Sequence, residues 1–355
     1  MKTLNGQRET SPDEYFKIVE PSLINKPQTK ELGDLFIFDN IITQSKNMIE
    51  IFEFVSCVLD LDTTILIYGE TGTGKELLAN AIHFSSSRKE RPFIAVNCAA
   101  IPDELFESEL FGFKKGTFTG ASEDRRGLFQ MANGGTILLD EIGEIPIKIQ
   151  SKLLRVIEDK KVTSLGSEKS VNIDVRIVAS TNRDLELEVE RGNFREDLFY
   201  RLNVIPIKLV PLRERKEDIP LLARFFLKKY TERFNKPLES ISEEAMNCLT
   251  GYYWPGNVRE LRNVIERAVL LERKEVITDV GSLLTRKKDV SIDFSESFKT
   301  TKTKVIENLE KDYISRLLEL YCGNISHAAK HAEMDVKNLH DKMKKHGIRR
   351  DSFLR

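Results

Sequence analysis

Residues 65–76 read ILIYGETGTGKE, and from Lys75 the chain continues KELLANAIHF. A strand-forming run ends at Gly69, a glycine-punctuated loop follows, and apolar residues then recur at helical spacing. A G-x-x-x-x-G-K loop between a strand and a helix is a phosphate cradle. Gly69, Gly72 and Gly74 let backbone N–H groups approach phosphate oxygens, with Glu70, Thr71 and Thr73 between them. The helix N-terminus that follows favours anions, and Lys75 supplies a point charge at the β- and γ-phosphates. Glu76 stands where a Ser or Thr hydroxyl would contact Mg²⁺, so metal binding must lean on other oxygens.

Those oxygens are sought at the ends of neighbouring strands. GGTILLDE (134–141) is an apolar run finishing in Asp140 and Glu141. Asp140 is placed to orient Mg²⁺ through its water shell, and Glu141 to polarise an attacking water as general base. A strand ending in two solvated acids is the alternative for such a run standing alone. DVRIVASTN (174–182) ends in Ser180, Thr181 and Asn182, polar groups at the carboxyl edge of a parallel sheet. Asn182 either senses the γ-phosphate or forms a turn. FREDLFYRL (194–202) offers Arg195 and Arg201, which reach a neighbouring subunit's phosphate if the protein assembles as a ring and form surface ion pairs otherwise. With PFIAVN (92–97) and VIPIKL (204–209), these runs alternate with amphipathic helices such as IKIQSKLLRVIED (147–159), which predicts an α/β fold with a parallel sheet.

The 355 residues carry a net charge of -1, so any nucleic-acid contact must come from a local basic region. Cys57, Cys98, Cys248 and Cys322 are scattered without a CxxC pair, which suits a reducing cytoplasm, and the apolar runs are far short of a bilayer span. Residues 1–34 are polar and proline-containing and read as a short arm; the stretch after residue 277, rich in Ser, Thr, Lys and Asp, reads as a linker. From about Val305 a helical module closes the chain. In it, Leu309, Ile314, Leu317 and Leu318 give a first helix its apolar face, and ISHAAKHA forms a short second one. DVKNLHDKMKKHG starts at Asp335 as cap, turns Val336, Leu339 and Met343 inward and leaves Lys337, Asn338, His340, Lys342, Lys344 and Lys345 outside. A basic second helix of this kind suits the major groove of double-stranded DNA; a solvated face is the alternative. His327 and His331 lie one turn apart without a third ligand and read as surface or packing residues.

The motifs together resemble one family. GETGTGKE, NCAAIPDELFESELFG, GTFTGA, GTILLDEIGE, LLRVIE, FREDLFYRLNVIPIKLVPLRER and WPGNVREL look like the AAA+ domain of bacterial enhancer-binding proteins, the NtrC-like activators of sigma-54 RNA polymerase. The resemblance implies an α/β AAA+ P-loop ATPase over 35–277, with a parallel sheet and a helical lid over about 213–277. A linker over 278–304 and an all-α, Fis-type helix-turn-helix domain over 305–355 follow. It makes Asp140 and Glu141 the Walker B acids and Asn182 sensor I. It makes Asn97 the partner of the Walker B glutamate, Arg195 and Arg201 trans-acting fingers, and Arg259 the sensor II arginine. Family members often carry Glu after the Walker A Lys, so Glu76 is in keeping.

The run Gly116, Thr117, Phe118, Thr119, Gly120 and Ala121 resembles the family's GAFTGA loop, which engages sigma-54 through its aromatic and threonine. Thr117 replaces the usual Ala, adding a β-branched hydroxyl side chain that bears on loop stiffness. TSLGSEKSV (163–171) resembles the second loop that moves with the first.

The implied function is an ATP-hydrolysing activator in the cytoplasm. It binds upstream DNA and remodels the sigma-54 RNA polymerase holoenzyme from closed to open complexes. ATP and Mg²⁺ are its expected cofactors, and a dimer that becomes a hexamer its expected assembly. The segment before the ATPase is too short for a receiver domain, so control by a separate regulatory protein or by expression level is expected. A DNA-binding repressor with a nucleotide-gated AAA+ assembly domain is the competing reading; it has no need of Phe118, Thr119, Glu141 or the two arginines.

Overall fold

A computed structural model describes residues 41–119, 121–272 and 275–284 throughout, the strand segments 16–18, 30–32 and 35–38, and 302–303, 306–307, 310, 313–314, 317–318, 321, 324–332, 334–346 and 348. The chain forms two compact units, residues 1–284 and 285–355.

The first unit begins with β1 (Phe16–Ile18), β2 (Lys30–Leu32), β3 (Leu35–Phe38), β4 (Ile41–Thr43), α1 (Lys46–Val58), β5 (Ile65–Tyr68), α2 (Lys75–Phe84) and β6 (Phe93–Asn97). It continues through α3 (Phe106–Phe111), β7 (Gly112–Phe113), β8 (Arg125–Arg126), α4 (Leu128–Met131), β9 (Thr136–Asp140), α5 (Ile147–Asp159), β10 (Lys161–Thr163) and β11 (Ser170–Asn172). Next come β12 (Arg176–Thr181), α6 (Leu185–Glu190), α7 (Glu196–Leu202) and β13 (Ile205–Lys208). A lid closes the unit with α8 (Asp218–Phe234), β14 (Ser240–Ile241), α9 (Glu243–Gly251), α10 (Asn257–Leu271) and β15 (Val276–Ile277).

The main sheet has the order β1-β6-β9-β12-β5-β13. All its pairings are parallel except that of β1 with β6. Strands buried on both faces need continuous apolar runs. Ile65, Leu66 and Ile67, Ile137, Leu138 and Leu139, and Ile177, Val178 and Ala179 supply them, all buried. On one face Met48, Phe52, Leu78 and Ile82 from α1 and α2 complete the core. On the other, Leu110, Phe129, Leu153 and Leu198 do so from α3, α4, α5 and α7. The register sets Asn97 beside Asp140 and Tyr68 beside Thr181, so the carboxyl ends of β5, β6, β9 and β12 share one edge.

Two boundaries differ from expectation. Residues 1–34, read as an irregular arm, contribute β1, which pairs with β6 in the register Phe16↔Val96, and β2, which pairs with β3. The edge of β6 would otherwise present a row of unpaired N–H and C=O groups, and β1 covers it. The expected linker from residue 278 starts later, because Val280 and Leu284 are buried in the lid core with Trp254, Leu249, Leu261 and Ile265.

In the second unit, α11 (Ile325–His331) is capped by Asn324, whose side chain accepts from His327 N–H at 3.2 Å, and α12 (Val336–Lys345) follows. Ile314, Leu317, Leu318, Ala328, Ala329, Leu339 and Met343 make its core. Leu309 and Gly347 lie outside the described residues. Val336, expected to face inward, is 49% exposed. It falls on the Leu339–Met343 face by angle but sits in the first turn, beyond the end of that core. Asp335 occupies the cap position without a side-chain cap bond.

His83, in the last turn of the phosphate-loop helix α2, is fully buried, with Nδ1 2.9 Å from Thr136 Oγ1 and its ring 4.7 Å from Phe84. Burial pushes its pKa down from 6.5 to about 4. The unfolded chain therefore binds a proton between those values that the folded chain refuses. Stability is complete above pH 6.5 and falls as pH drops towards 4, by up to about 3 kcal/mol. Denaturant unfolding across pH 7.5 to about 4.5 is expected to show that slope and to lose most of it in His83→Gln.

Candidate active site

The phosphate loop spans Gly69–Gly74 between β5 and α2. Thr73 Oγ1 donates to Glu70 O at 2.8 Å, closing a tight turn. Gly72 adopts φ +83°, and a Cβ there would lie 2.2 Å from Gly256 O, so only glycine lets the lid backbone rest on the loop. Lys75, buried at the start of α2, donates to Gly69 O at 3.0 Å and lies 3.2 Å from Glu141 Oε1.

Asp140 and Glu141 emerge at the end of β9 as expected. Ser180 Oγ donates to Asp140 Oδ1 at 2.5 Å. Glu141 takes a left-handed backbone, φ 53°, which turns its carboxylate back over the sheet edge. There it accepts Asn182 N–H at 3.1 Å as well as Lys75. Asn182 Nδ2 in turn donates to Thr71 Oγ1 at 3.0 Å, joining β12 to the phosphate loop. Asn97 is at the same edge, but its side chain accepts Ala99 N–H at 3.1 Å. Among the described residues it makes no hydrogen bond to Glu141, whose carboxylate is engaged by Lys75 and Asn182. The expected Asn97–Glu141 pair is therefore not formed.

Among the described residues no three His, Cys, Asp or Glu side chains converge as a metal cage. The two adjacent carboxylates nevertheless fit Mg²⁺, which binds through one or two carboxylates, waters and substrate phosphates.

The lid closes on the loop through residues that sequence reasoning did not single out. Arg213 forms a bidentate pair with Glu70, at 2.7 and 2.6 Å, and holds that carboxyl below its usual range. Asn257, fully buried with φ 51°, donates to Glu70 Oε2 and Thr71 O at 3.1 Å each and accepts Leu212 N–H at 2.8 Å. Arg215, also buried, donates to Thr73 O at 3.2 Å and faces Asp218 at 3.6 Å. Asp218 accepts from Thr43 Oγ1 at 2.6 Å, and burial raises its carboxyl. Arg259 N–H reaches Gly72 O at 3.3 Å while the Arg259 side chain is exposed. LRER and PGN were visible as motifs, but nothing in one sequence tells which of their polar groups bond the phosphate loop.

Away from this edge, residues 114–119 and 121–124 connect β7 to β8. Arg125 grips buried Glu109 with a bidentate pair at 2.8 and 2.9 Å, and Lys114 pairs with Asp124. Gly116 N–H donates to Ala121 O at 2.9 Å, and Ala121 N–H to Phe118 O at 3.1 Å. Phe118 is 45% exposed, its ring 4.9 Å from Phe113, and Thr119 is exposed. Gly120 lies outside the described residues.

Arg195 occupies the N-cap position of α7 without a side-chain cap bond and pairs with Asp197 at 3.0 and 2.6 Å, whereas exposed Arg201 has no ion-pair partner among the described residues. On α12, Lys337, Asn338, His340, Lys344 and Lys345 are exposed. Lys342, half-buried, and Lys345 pair with Glu310 at 2.5 Å and Glu307 at 3.3 Å. The preceding helical segment presents those acids to them.

Asn257→Ala would leave Leu212 N–H and Thr71 C=O without this partner. It is expected to destabilise the first unit by about 2 to 3 kcal/mol in thermal or denaturant unfolding and to weaken ATP binding. Arg259→Ala, which keeps the backbone bond to Gly72, is expected to leave stability within about 0.5 kcal/mol.

A family model described as the sigma-54 interaction domain matches residues 41–208, and one described as an AAA+ ATPase lid domain matches 213–286. The transcriptional regulatory protein GlrR of Escherichia coli (strain K12) is 43% identical over 313 residues, covering 88% of this chain and 69% of GlrR. The nitrogen fixation protein AnfA of Azotobacter vinelandii is 43% identical over 331 residues, covering 93% of this chain and 62% of AnfA. The regulatory protein AtoC of Escherichia coli (strain K12) is 48% identical over 272 residues, covering 75% of this chain and 59% of AtoC. Among solved structures, NtrX from Brucella abortus in complex with ATP superposes with a TM-score of 0.65 at 36% identity, covering 87% of this chain and 69% of that one. With the Lys75–Glu141 edge and the lid described above, these matches establish that the chain belongs to the sigma-54-dependent transcriptional activators, built on an AAA+ ATPase with a sigma-54 interaction domain.

Proposed function

We propose that this chain hydrolyses ATP at the Lys75–Asp140–Glu141 edge and uses the cycle to drive the Phe118 loop against sigma-54 in the polymerase holoenzyme, opening promoter DNA. The observation that carries the reading is Glu141, poised between Lys75 and Asn182 N–H at the mouth of the phosphate loop.

When ATP enters, Lys75 exchanges Gly69 O and Glu141 for phosphate oxygens, and the loop N–H groups and the N-terminus of α2 take the remaining negative charge. Glu141, released from Lys75, accepts the proton of a water whose oxygen attacks the γ-phosphorus as the bond to the ADP oxygen breaks. Asp140 would hold Mg²⁺ through its water shell, and that ion supplies charge neutralisation at the β- and γ-phosphate oxygens. Asn182, bonded to Thr71, is placed to report the γ-phosphate, and the exposed Arg259 side chain to reach the phosphates from the lid. Arg201, free of any ion pair among the described residues, suits delivery to a neighbour's γ-phosphate in a ring of six subunits, formed from a resting dimer; Arg195 must first leave Asp197.

The loop carries the output. Exposed Phe118 and Thr119 form an apolar, hydrogen-bonding tip for sigma-54. The second unit completes the activator by holding upstream double-stranded DNA, with α12 as recognition helix. Lys337, Asn338, His340 and Lys344 are its outward contacts, and Lys342 and Lys345 give less because acids already hold them.

ATP turnover and open-complex formation on a sigma-54 promoter test the reading together. Glu141→Gln is expected to lose at least about 100-fold in turnover and to open no promoter. Thr119→Ala is expected to keep hydrolysing ATP yet open none. Unimpaired turnover in Glu141→Gln, or wild-type opening by Thr119→Ala, would overturn it.

A further inference from the structure

Thr117, at the base of the Phe118 loop, is packed against a second segment. Its Oγ1 lies 2.5 Å from Lys114 O and 3.3 Å from Leu165 O, so one hydroxyl hydrogen is shared between a carbonyl of its own loop and one of the 163–171 loop. Gly166 meets it face to face. A Cβ on Gly166 would fall 2.3 Å from Thr117 Oγ1 and 3.3 Å from Thr117 Cβ, and Gly166 holds φ +73°. Any side chain there would displace Thr117. Around this contact the two segments exchange backbone bonds: Lys114 N–H donates to Leu165 O at 3.0 Å, and Leu165 N–H to Gly112 O at 2.8 Å. Gln130 Nε2 adds a donor to Ser164 Oγ at 3.2 Å. Thr117 is only partly exposed, unlike its neighbours Gly116 and Phe118.

We infer that Thr117 is a positioning residue that latches the Phe118 loop onto Gly166 and Leu165, so that the two surface loops move as one body. The β-branched side chain supplies what an alanine at this place lacks: a hydroxyl for the Leu165 carbonyl and a methyl that fills the space over Gly166. A shared carbonyl acceptor is a modest bond singly, but it closes a ring of contacts in which neither loop opens without the other. The consequence for promoter opening rests on the sigma-54 reading above; the latch itself does not.

Amide hydrogen exchange on the full chain reads the latch without sigma-54. The diagnostic amides are Gly116 and Thr117 in the first loop and Leu165 and Ser167 in the second, all hydrogen-bonded in the structure. Thr117→Ala is expected to speed exchange at all four by about tenfold, with β5 and β12 unchanged, and Thr117→Ser to restore most of the protection. Gly166→Ala, which drives a methyl into Thr117, is expected to speed the same set. Faster exchange in the first loop alone, no change in either loop, or failure of Thr117→Ser to rescue would overturn the latch. If the latch holds and sigma-54 is still not engaged by the intact protein, the functional reading fails by itself.

Discussion

The lid's grip on the phosphate loop is the constraint on which the rest of the first unit depends. A loop built to wrap phosphate has little side chain of its own and would be loose between β5 and α2. Here Glu70 is clamped by Arg213, Thr71 and Glu70 by Asn257, Thr73 by Arg215, and Gly72 by the backbone of Arg259. Three of the loop's carbonyls and its one acid are thereby satisfied by lid residues. The same lid reaches Thr43 through Asp218, so the entry to the fold, the nucleotide loop and the lid share one buried polar network. Buried networks of this kind are costly when half satisfied, so the lid and the phosphate loop stabilise each other's positions.

Chain order then connects the phosphate edge to the surface. The segment from Asn97 at the end of β6 runs through α3, the Phe118 loop, β8 and α4 before returning as β9 with Asp140 and Glu141. The loop is thus an insertion between two neighbouring strands whose ends both lie at the ATP edge, in register as Asn97↔Asp140. The Glu109–Arg125 pair braces its base. Asn97 bonds Ala99, the first turn of the path to the loop, and Glu141 bonds Lys75 and Asn182. A swap of partners between these two side chains would tie the phosphate site to the loop stem.

Much of this was legible in sequence because the physical signals are local. Strands buried on both faces write themselves as ILIY, TILLD and RIVAST, and the glycine loop with its lysine states its own chemistry. What stayed hidden was long-range polar bonding. Asn257 and Arg213 sit 187 and 143 residues from Glu70, and no local pattern distinguishes them from any other polar residue in a turn. Strand β1 was missed because its pairing, not its composition, makes it a strand. Val336 was placed inward by helical angle, which cannot tell where a core ends. The ion pairs of Lys342 and Lys345 are invisible to helical periodicity because their acidic partners lie on another segment of that unit.

Under the proposed function, ATP hydrolysis drives the Phe118 tip against sigma-54. The most direct test of this claim is photocrosslinking from a benzoylphenylalanine at position 118, with sigma-54 holoenzyme present and the nucleotide varied. A covalent adduct to sigma-54 is expected with ADP and aluminium fluoride, the mimic of phosphoryl transfer, and none with ADP alone. An adduct of equal yield with ADP, or no adduct in any nucleotide state, would contradict it.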